Sequence, residues 1–298
     1  MVVAALLELA VAFFAGVSVD AEVARMTPRE KAATVVVSGL PAPPGVRNVF
    51  VTRTTRHLPR PRGALVFVDQ EGGEVRAFSE LPPFAPARSY ATAAEARAAG
   101  RATGRALRRT GVRVDLAPVL DTPDGPLGSR HFRDPRFGVA FARGLADAGV
   151  AACVKHFPGL GSTPVSTDDR PRVEGVVRQH ELVAFRSAVR AGAPCVMTSH
   201  AFYASLGPLR ASLEPATYRL IRASGFRGVT ITDSLNVVSR PPAYWPTRAA
   251  RAGADLLLYT HPEHAARAVD ALVPLARRGE LDEAVARVLR FRRRYGAG

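Results

Sequence analysis

Short apolar runs rich in β-branched residues alternate along this chain with longer stretches rich in alanine and arginine. Eight of the apolar runs have the length and composition of strands: 32–40, 48–52, 64–69, 112–119, 152–157, 194–200, 228–234 and 254–260. Several of the stretches between them have helical patterns that end in glycine, as helix C-termini often do. This alternation predicts a parallel sheet covered by helices. Eight such units in about 250 residues predict an α/β protein with a closed (β/α)8, or TIM, barrel.

Two connections depart from the regular pattern. Residues 53–63, after the second strand, carry too much proline for a full helix, and residues 235–253, after the seventh, leave room for only a short one. We therefore expect shortened helical units after strands 2 and 7. No internal repeat or low-complexity linker is visible, so we expect one domain over residues 1–298.

The apolar segment 1–20 has two interpretations, an N-terminal helix or a signal-like segment. It lacks a basic first region, carries Glu8 and is marginal in length for a bilayer span. We expect no stable membrane span, and a cytoplasmic and a cell-envelope location both remain open.

The net charge of +15 comes almost entirely from arginine, because Lys31 and Lys155 are the only lysines. The arginines are scattered, and no helix-turn-helix, zinc-finger or aromatic RNA-binding signature accompanies them, so we expect no nucleic-acid partner. The charge is compatible with anionic partners such as cell-wall polymers. Cys153 and Cys195 lie in apolar runs, and we expect buried free thiols rather than a disulfide framework or a zinc site.

Polar residues stand at the ends of the predicted strands, where a barrel enzyme places its chemistry. Along the chain they are Asp69, Asp121, Arg130, Lys155, His156, His200 and Asp233. An unpaired buried charge costs on the order of several kcal/mol, so such a set on one rim indicates a site for a polar ligand. Lys155 is notable in a chain that uses arginine for nearly every other cation, because its compact head has three donors.

Each of these residues also has a plain structural interpretation. Asp69 could cap the following turn, and Lys155 could form an ion pair with Asp233. His200 could be a core histidine with satisfied hydrogen bonds, and Arg130 could be a solvated loop residue.

Several sequence motifs coincide with these strand ends. They are "VDQEGGEVRAF" (68–78), "DLAPVLDT" (115–122), "GSRHF" (128–132), "VKHFPGLG" (154–161) and the segment 196–235, which ends in "TDSL". In this order they resemble glycoside hydrolase family 3, and in particular its single-domain β-N-acetylglucosaminidases. The resemblance covers nearly the whole chain, and "VKHFPGLG" is its most specific motif.

The resemblance implies a retaining glycosidase that acts on a carbohydrate and uses no metal or organic cofactor. Asp233, in "TDSL", would be the nucleophile that forms a covalent glycosyl-enzyme. The implied substrate-binding residues are Asp69, Arg76, Arg130, Lys155, His156 and His200. Lys155 would also help to keep Asp233 ionised.

The segment after "VKHFPGLG" departs from the family pattern. The acid/base histidine of the family stands in an Asp-x-His group, but the matching tripeptide 166–168 reads Ser-Thr-Asp, and Leu160 replaces the second histidine of the family's KHFPGHG. Asp168 or Asp169 could supply the acid instead, because adjacent carboxylates push one pKa upward. The plain alternative is a solvated turn pair beside Arg170.

These observations leave three candidate functions. The first is a retaining exo-β-glycosidase, namely a β-N-acetylhexosaminidase that acts on cell-wall-derived amino sugars, as in peptidoglycan turnover. The second is a catalytically impaired or silent sugar-binding barrel, and the third is a β-glucosidase-like hydrolase. In each case we expect a monomer.

Overall fold

The eight predicted strands are all present in the computed structural model, which describes residues 18–237 and 244–296. They are β1 Val36–Ser38, β2 Asn48–Val51, β3 Leu65–Val68, β4 Val114–Asp115, β5 Ala151–Phe157, β6 Cys195–Thr198, β7 Val229–Thr232 and β8 Leu257–Tyr259. Neighbours pair in parallel in the order β7-β6-β5-β4-β3-β2-β1-β8. A parallel bridge between Ile231 and Leu256 joins the two ends of this order. The sheet is therefore a nearly closed barrel, and the predicted architecture is confirmed.

Helices surround this sheet, and their apolar faces pack on the outward side chains of the strands. Within the described part of the chain they are α1 Val19–Arg25, α2 Pro28–Thr34, α3 Ala93–Arg109, α4 Pro135–Asp147, α5 Gln179–Arg190, α6 Pro215–Ala223, α7 Tyr244–Ala252, α8 Pro262–Arg277 and α9 Asp282–Tyr295. Phe141 of α4 and Phe185 of α5, for example, belong to one buried cluster with Val154 of β5. Such apolar burial is the main stabilising contribution to a barrel of this kind.

Most of the predicted strands are shorter than expected, and for the first and the fourth the local sequence gives the reason. The first was expected over 32–40, but a capping box between Thr27 and Glu30 and a proline at position 28 begin helix α2, which runs to Thr34. The fourth was expected over 112–119, but only Val114–Asp115 pair as a strand. Pro118, which has no N–H to donate, interrupts the run before Val119 bridges to Lys155.

The two shortened units are where the sequence predicts them. Between β2 and β3 the chain forms turns and no α-helix. After β7 the described residues form a 3-10 turn, Leu235–Val237, and the nine-residue helix α7, which begins at Tyr244.

The N-terminal segment 1–20 lies almost wholly outside the described residues, which begin at Ser18, and Val19 and Asp20 belong to α1. In residues 18–237 and 244–296, no helix combines the length and apolar character that a bilayer span requires.

The expectation of two free thiols is wrong, because Cys153 and Cys195 form a disulfide in this structure. The two residues are direct partners in the pairing of β5 with β6. In-register residues on neighbouring strands point to the same face of a sheet, which brings the two side chains together. Both cysteines are fully buried, in the apolar cluster that fills the barrel interior.

A buried carboxylate fastens the seam between β7 and β8. Asp255 accepts hydrogen bonds from the backbone N–H of Thr230 at 2.7 Å and from its hydroxyl at 2.9 Å. It also pairs with Arg222 at 2.5 Å and with Arg287 at 2.6 Å. Asp255 has no exposed surface, so its carboxylate is not hydrated. These hydrogen bonds and ion pairs compensate the lost hydration.

Candidate active site

Three of the seven strand-end residues that the sequence singles out, Asp69, Arg130 and Lys155, lie within one ion cluster at the C-terminal end of the barrel. Its centre is Lys155 of β5, whose ammonium group lies 2.6 Å from Asp69 and 2.6 Å from Glu71. Arg130, from the connection after β4, forms two parallel hydrogen bonds of 2.8 Å with the carboxylate of Glu71. Two cations and two anions are thus joined by ion pairs at this end of the barrel, which we call the rim.

The charges in this cluster stabilise one another despite their burial. Burial alone would raise the pKa of Glu71, but Lys155 and Arg130 outweigh it and hold that pKa below its usual range. Burial alone would lower the pKa of Lys155, but Asp69 and Glu71 raise it. Each group is therefore charged near neutral pH, as a partnered ion in a low-dielectric site must be.

Glu71 is a central member of this cluster that the sequence interpretation did not assign. Residues i and i+2 of an extended chain share a face, so Asp69 and Glu71 both reach Lys155. Gln70, between them, points the other way and binds the backbone of Phe78 in both directions, at 3.0 Å each. The alternation within "DQEGG" was the signal that could have identified Glu71.

Asp121 orients His156. The Nδ1 atom of His156 lies 2.7 Å from a carboxylate oxygen of Asp121, and the backbone N–H of Leu160 donates to the other oxygen at 2.8 Å. Since a carboxylate only accepts, Nδ1 carries the proton and Nε2 is free to meet a ligand. The sequence interpretation gave Asp121 no role. In the structure Asp121 supports the site by orienting His156.

His200 is fixed in one tautomer by two buried partners. Its Nε2 lies 2.9 Å from the backbone carbonyl of Ser234, which can only accept, so Nε2 carries the proton. Its Nδ1 then accepts from the hydroxyl of Ser212 at 2.7 Å. Burial lowers the pKa of His200, which favours this neutral form. The core-histidine interpretation is therefore correct about its hydrogen bonds, although the ring lies beside the residue that follows β7.

That residue is Asp233. Its backbone N–H donates to the carbonyl of Thr198 at the end of β6 over 3.0 Å, and its carboxylate accepts from the N–H of Ser234 at 2.7 Å. Burial alone would raise the pKa of Asp233, but His200 and His156 in their protonated forms, the Ser234 N–H and the charge of Lys155 outweigh it and lower the pKa. The site thus keeps Asp233 ionised.

Asp168 lies on the connection between β5 and α5, and the residue as a whole is exposed. Its carboxyl group is partly buried and lies near enough to Asp233 to feel its charge. That burial, and then the charge of Asp233, raise the pKa of Asp168. Asp169 is exposed on the same turn, where its backbone N–H donates to the carbonyl of Ser166 at 3.2 Å.

Arg76 has its own partners on the hairpin turn after β3. Its Nε donates to the carbonyl of Gly73 at 2.6 Å and its Nη1 to that of Ser79 at 2.5 Å. The guanidinium also lies over the ring of Phe84, 5.5 Å from its centre. These contacts give Arg76 a role in the shape of the turn.

The two carboxyl groups of this pocket differ in a chemically useful way. Asp233 has a lowered pKa and Asp168 a raised one, so between these values one is ionised and the other protonated. Pairs of carboxyl groups whose environments separate their pKa values mark an acid and a base or nucleophile. Glycoside hydrolases use such a pair on either side of the bond they cleave. The barrel and its rim therefore define a glycoside hydrolase.

Comparison with known proteins gives the family. Residues 48–291 match the model of the glycosyl hydrolase family 3 N-terminal domain, and the chain belongs to this family. β-Hexosaminidases from Stenotrophomonas maltophilia (strain K279a) and Xanthomonas axonopodis pv. citri (strain 306) are each 34% identical to it. The two alignments cover 68% and 71% of this chain, and 69% and 72% of those proteins.

Solved structures of similar proteins have the same fold. A β-N-acetylhexosaminidase from Beutenbergia cavernae has a TM-score of 0.80 at 26% identity, covering 90% of this chain and 99% of that one. A family 3 β-N-acetylglucosaminidase from Paenibacillus sp. FPU-7 has a TM-score of 0.77 at 26% identity. That match covers 91% of this chain but 63% of the Paenibacillus protein, so this chain spans less than two thirds of it.

Proposed function

We propose that this protein is a retaining exo-β-glycosidase, namely a β-N-acetylhexosaminidase that acts on cell-wall-derived amino sugars. Asp233 is the nucleophile that attacks the anomeric carbon and forms a covalent glycosyl-enzyme. Asp168 is the acid that protonates the leaving oxygen, and it then serves as the base that activates water. The names of the relatives, β-hexosaminidase and β-N-acetylhexosaminidase, support the amino-sugar specificity.

The observation that carries this proposal is that the pKa values of two carboxyl groups of the site are shifted in opposite directions. Asp233 has a lowered pKa and Asp168 a raised one, and each feels the charge of the pocket around it. A nucleophile must be ionised and a general acid protonated at the same pH. Asp168 therefore supplies the proton that a histidine gives in related enzymes, and it is favoured over Asp169 because its carboxyl group feels the charge of Asp233.

The remaining rim residues bind the sugar. Asp69 is the exposed carboxylate of the ion cluster, with 33% of its side chain accessible, whereas the side chain of Glu71, the other carboxylate, is 3% exposed. It is therefore the acceptor that sugar hydroxyls reach. His156 offers Nε2, and Arg130 and Lys155 hold the acceptors in place. No step of this chemistry uses a metal or an organic cofactor.

A sugar-binding barrel without catalysis is the competing proposal, and one observation favours it. Asp168 lies exposed on a loop, and the side-chain contact that orients this part of the loop is a 3.3 Å bond from its backbone N–H to the hydroxyl of Ser166. A weakly oriented acid gives poor proton transfer, since general acid catalysis requires hydrogen-bond geometry in the transition state.

Two aryl β-N-acetylglucosaminides separate these proposals, one with a good and one with a poor leaving group. Loss of general acid catalysis costs about 10²–10⁴-fold, so Asp168→Asn should lose this factor in kcat/KM on the poor substrate and far less on the good one. Glu174→Gln, an exposed change on the same connection, should leave both rates unchanged.

The alternatives have distinct outcomes in the same assay. Cleavage of neither substrate, together with N-acetylglucosamine binding that Asp69→Asn abolishes, supports the silent barrel. A selective loss in Asp169→Asn rather than Asp168→Asn moves the acid to Asp169. Unchanged hydrolysis by Asp233→Ala overturns the mechanism.

A further inference from the structure

Glu181 is a buried carboxyl group that lies beneath the loop carrying Asp168. It belongs to the first turn of α5 and has no exposed surface. One carboxylate oxygen accepts from the backbone N–H of Gly161 at 2.7 Å and lies 3.4 Å from the hydroxyl of Thr122. Its other oxygen has no hydrogen-bond partner among the described residues. The burial of a polar group without a full set of hydrogen bonds costs free energy, so the presence of Glu181 at this position requires an explanation.

The loop rests directly on this carboxyl group. A Cβ atom at Gly159 would lie 2.5 Å from the Glu181 carboxyl carbon, and one at Gly161 would lie 2.6 Å from its oxygen. Gly159 also has φ of +126°, a conformation that side chains disfavour. The two glycines of "FPGLG" thus allow the backbone to approach Glu181 closely.

The same stretch of backbone is held from the pocket side by other partners. Asp121, which orients His156, accepts from the N–H of Leu160 at 2.8 Å, and the hydroxyl of Tyr203 donates to the carbonyl of Gly159 at 2.7 Å. Glu181 is the partner beneath it. Burial raises the pKa of Glu181, with the nearby charge of Asp121 acting in the same direction.

We propose that Glu181 is a positioning residue that holds the start of the β5–α5 connection, and thereby sets the location of Asp168 over the pocket. The proposal rests on the proposed function, in which Asp168 is the acid. Glu181 itself touches no substrate, because it lies beneath the loop. It acts through the Gly161 N–H, and its removal leaves that buried donor without an acceptor, which destabilises this part of the loop.

The test compares Glu181→Ala, Glu181→Gln and the matched exposed change Glu174→Gln on the two aryl glycosides. In Glu181→Ala, kcat on the poor leaving group should fall on the order of tenfold to a hundredfold, as misplaced catalytic groups do. The good leaving group and KM should change little. Glu181→Gln keeps an oxygen that accepts from Gly161 and should restore most of the loss, and Glu174→Gln should match the wild type.

The outcomes distinguish this inference from the proposed function. An equal loss on both substrates in Glu181→Ala, in protein whose circular dichroism shows it to be folded, indicates a merely structural role and overturns the inference. Unchanged rates in Glu181→Ala overturn it as well. If instead Asp168→Asn lacks a selective loss, the proposed function fails, whatever Glu181→Ala does.

Discussion

At the scale of single residues, the cationic side chains of the site are held in place by protein partners without a ligand. Lys155 and Arg130 are both committed to Glu71, and Lys155 also to Asp69. Their hydrogen-bonding directions are therefore set by protein partners. A preorganised polar site avoids the reorganisation that flexible charges would undergo on binding. The exposed oxygen of Asp69 then meets a ligand in a fixed position.

The pH dependence of kcat/KM should follow the two displaced carboxyl groups. Asp233 must be ionised, so activity is lost as pH falls through its pKa, which lies below the ordinary aspartate value of about 3.9. Asp168 must be protonated, so activity is lost as pH rises through its raised pKa. The expected profile is a bell with an acidic optimum. Asp168→Asn should lack the alkaline limb, and an alkaline limb that persists in this variant would assign it to another group.

Glu71→Gln should destabilise the fold strongly. The change leaves Lys155 and Arg130 with less compensating charge in a buried setting, where breaking an ion pair costs about 3–5 kcal/mol. Urea unfolding would measure the loss. Glu74→Gln makes the same chemical change at an exposed position of the same turn and should stay within about 0.5 kcal/mol of the wild type. Equal stabilities of the two variants would contradict the role assigned to Glu71.

At the scale of elements, the C-terminal ends of the strands bring the site residues to one end of the barrel. This placement was predictable from the sequence. The alternation of apolar runs located all eight strands, and parallel strands end on the same side of a barrel. Hence Asp69, Lys155 and Asp233 could be placed together before their contacts were known. The sequence could not reveal the partner of each charge, because that depends on side-chain direction in three dimensions. Glu181 and the paired cysteines were missed for this reason, whereas the alternation of side chains within residues 69–73 could have identified Glu71.

The disulfide between β5 and β6 is testable by alkylation. Protein purified without reductant and unfolded in denaturant should not react with iodoacetamide. Reduction under the same conditions should expose Cys153 and Cys195 and add two carbamidomethyl groups, measured by mass spectrometry. Because both residues are fully buried, reductant should act far more slowly on the folded protein than on the unfolded chain. Labelling of unreduced, unfolded protein would mean that the thiols are free.

At the scale of the whole molecule, barrel closure depends on a narrow seam. The order of strands ends at β7 and β8, which are joined through the Ile231–Leu256 bridge and the bonds of Asp255. Arg222 precedes β7 and Arg287 belongs to α9, so Asp255 ties the seam to the last helix. Asp233 directly follows β7, which makes the integrity of the seam a condition for the pocket.

Asp255→Asn should therefore destabilise the whole barrel. Replacing the anion leaves two partly buried arginines without a charged partner, and the loss should be about 3–5 kcal/mol. Asp270→Asn removes an exposed ion pair with Arg29 and should cost less than about 1 kcal/mol. Thermal unfolding of the two variants provides the comparison. A melting temperature for Asp255→Asn equal to that of Asp270→Asn would show that the seam does not need this charge.

The oxidation state of the cysteine pair reports the compartment in which the protein folded. Disulfides form in oxidising compartments and are rare where glutathione keeps thiols reduced. Once the barrel has closed around Cys153 and Cys195, later handling has little access to them. Rapid acid trapping of the protein from its native cells would preserve this oxidation state so that it can be measured. Oxidised cysteines would assign the chain to the cell envelope and reduced cysteines to the cytoplasm, the two locations that the sequence left open.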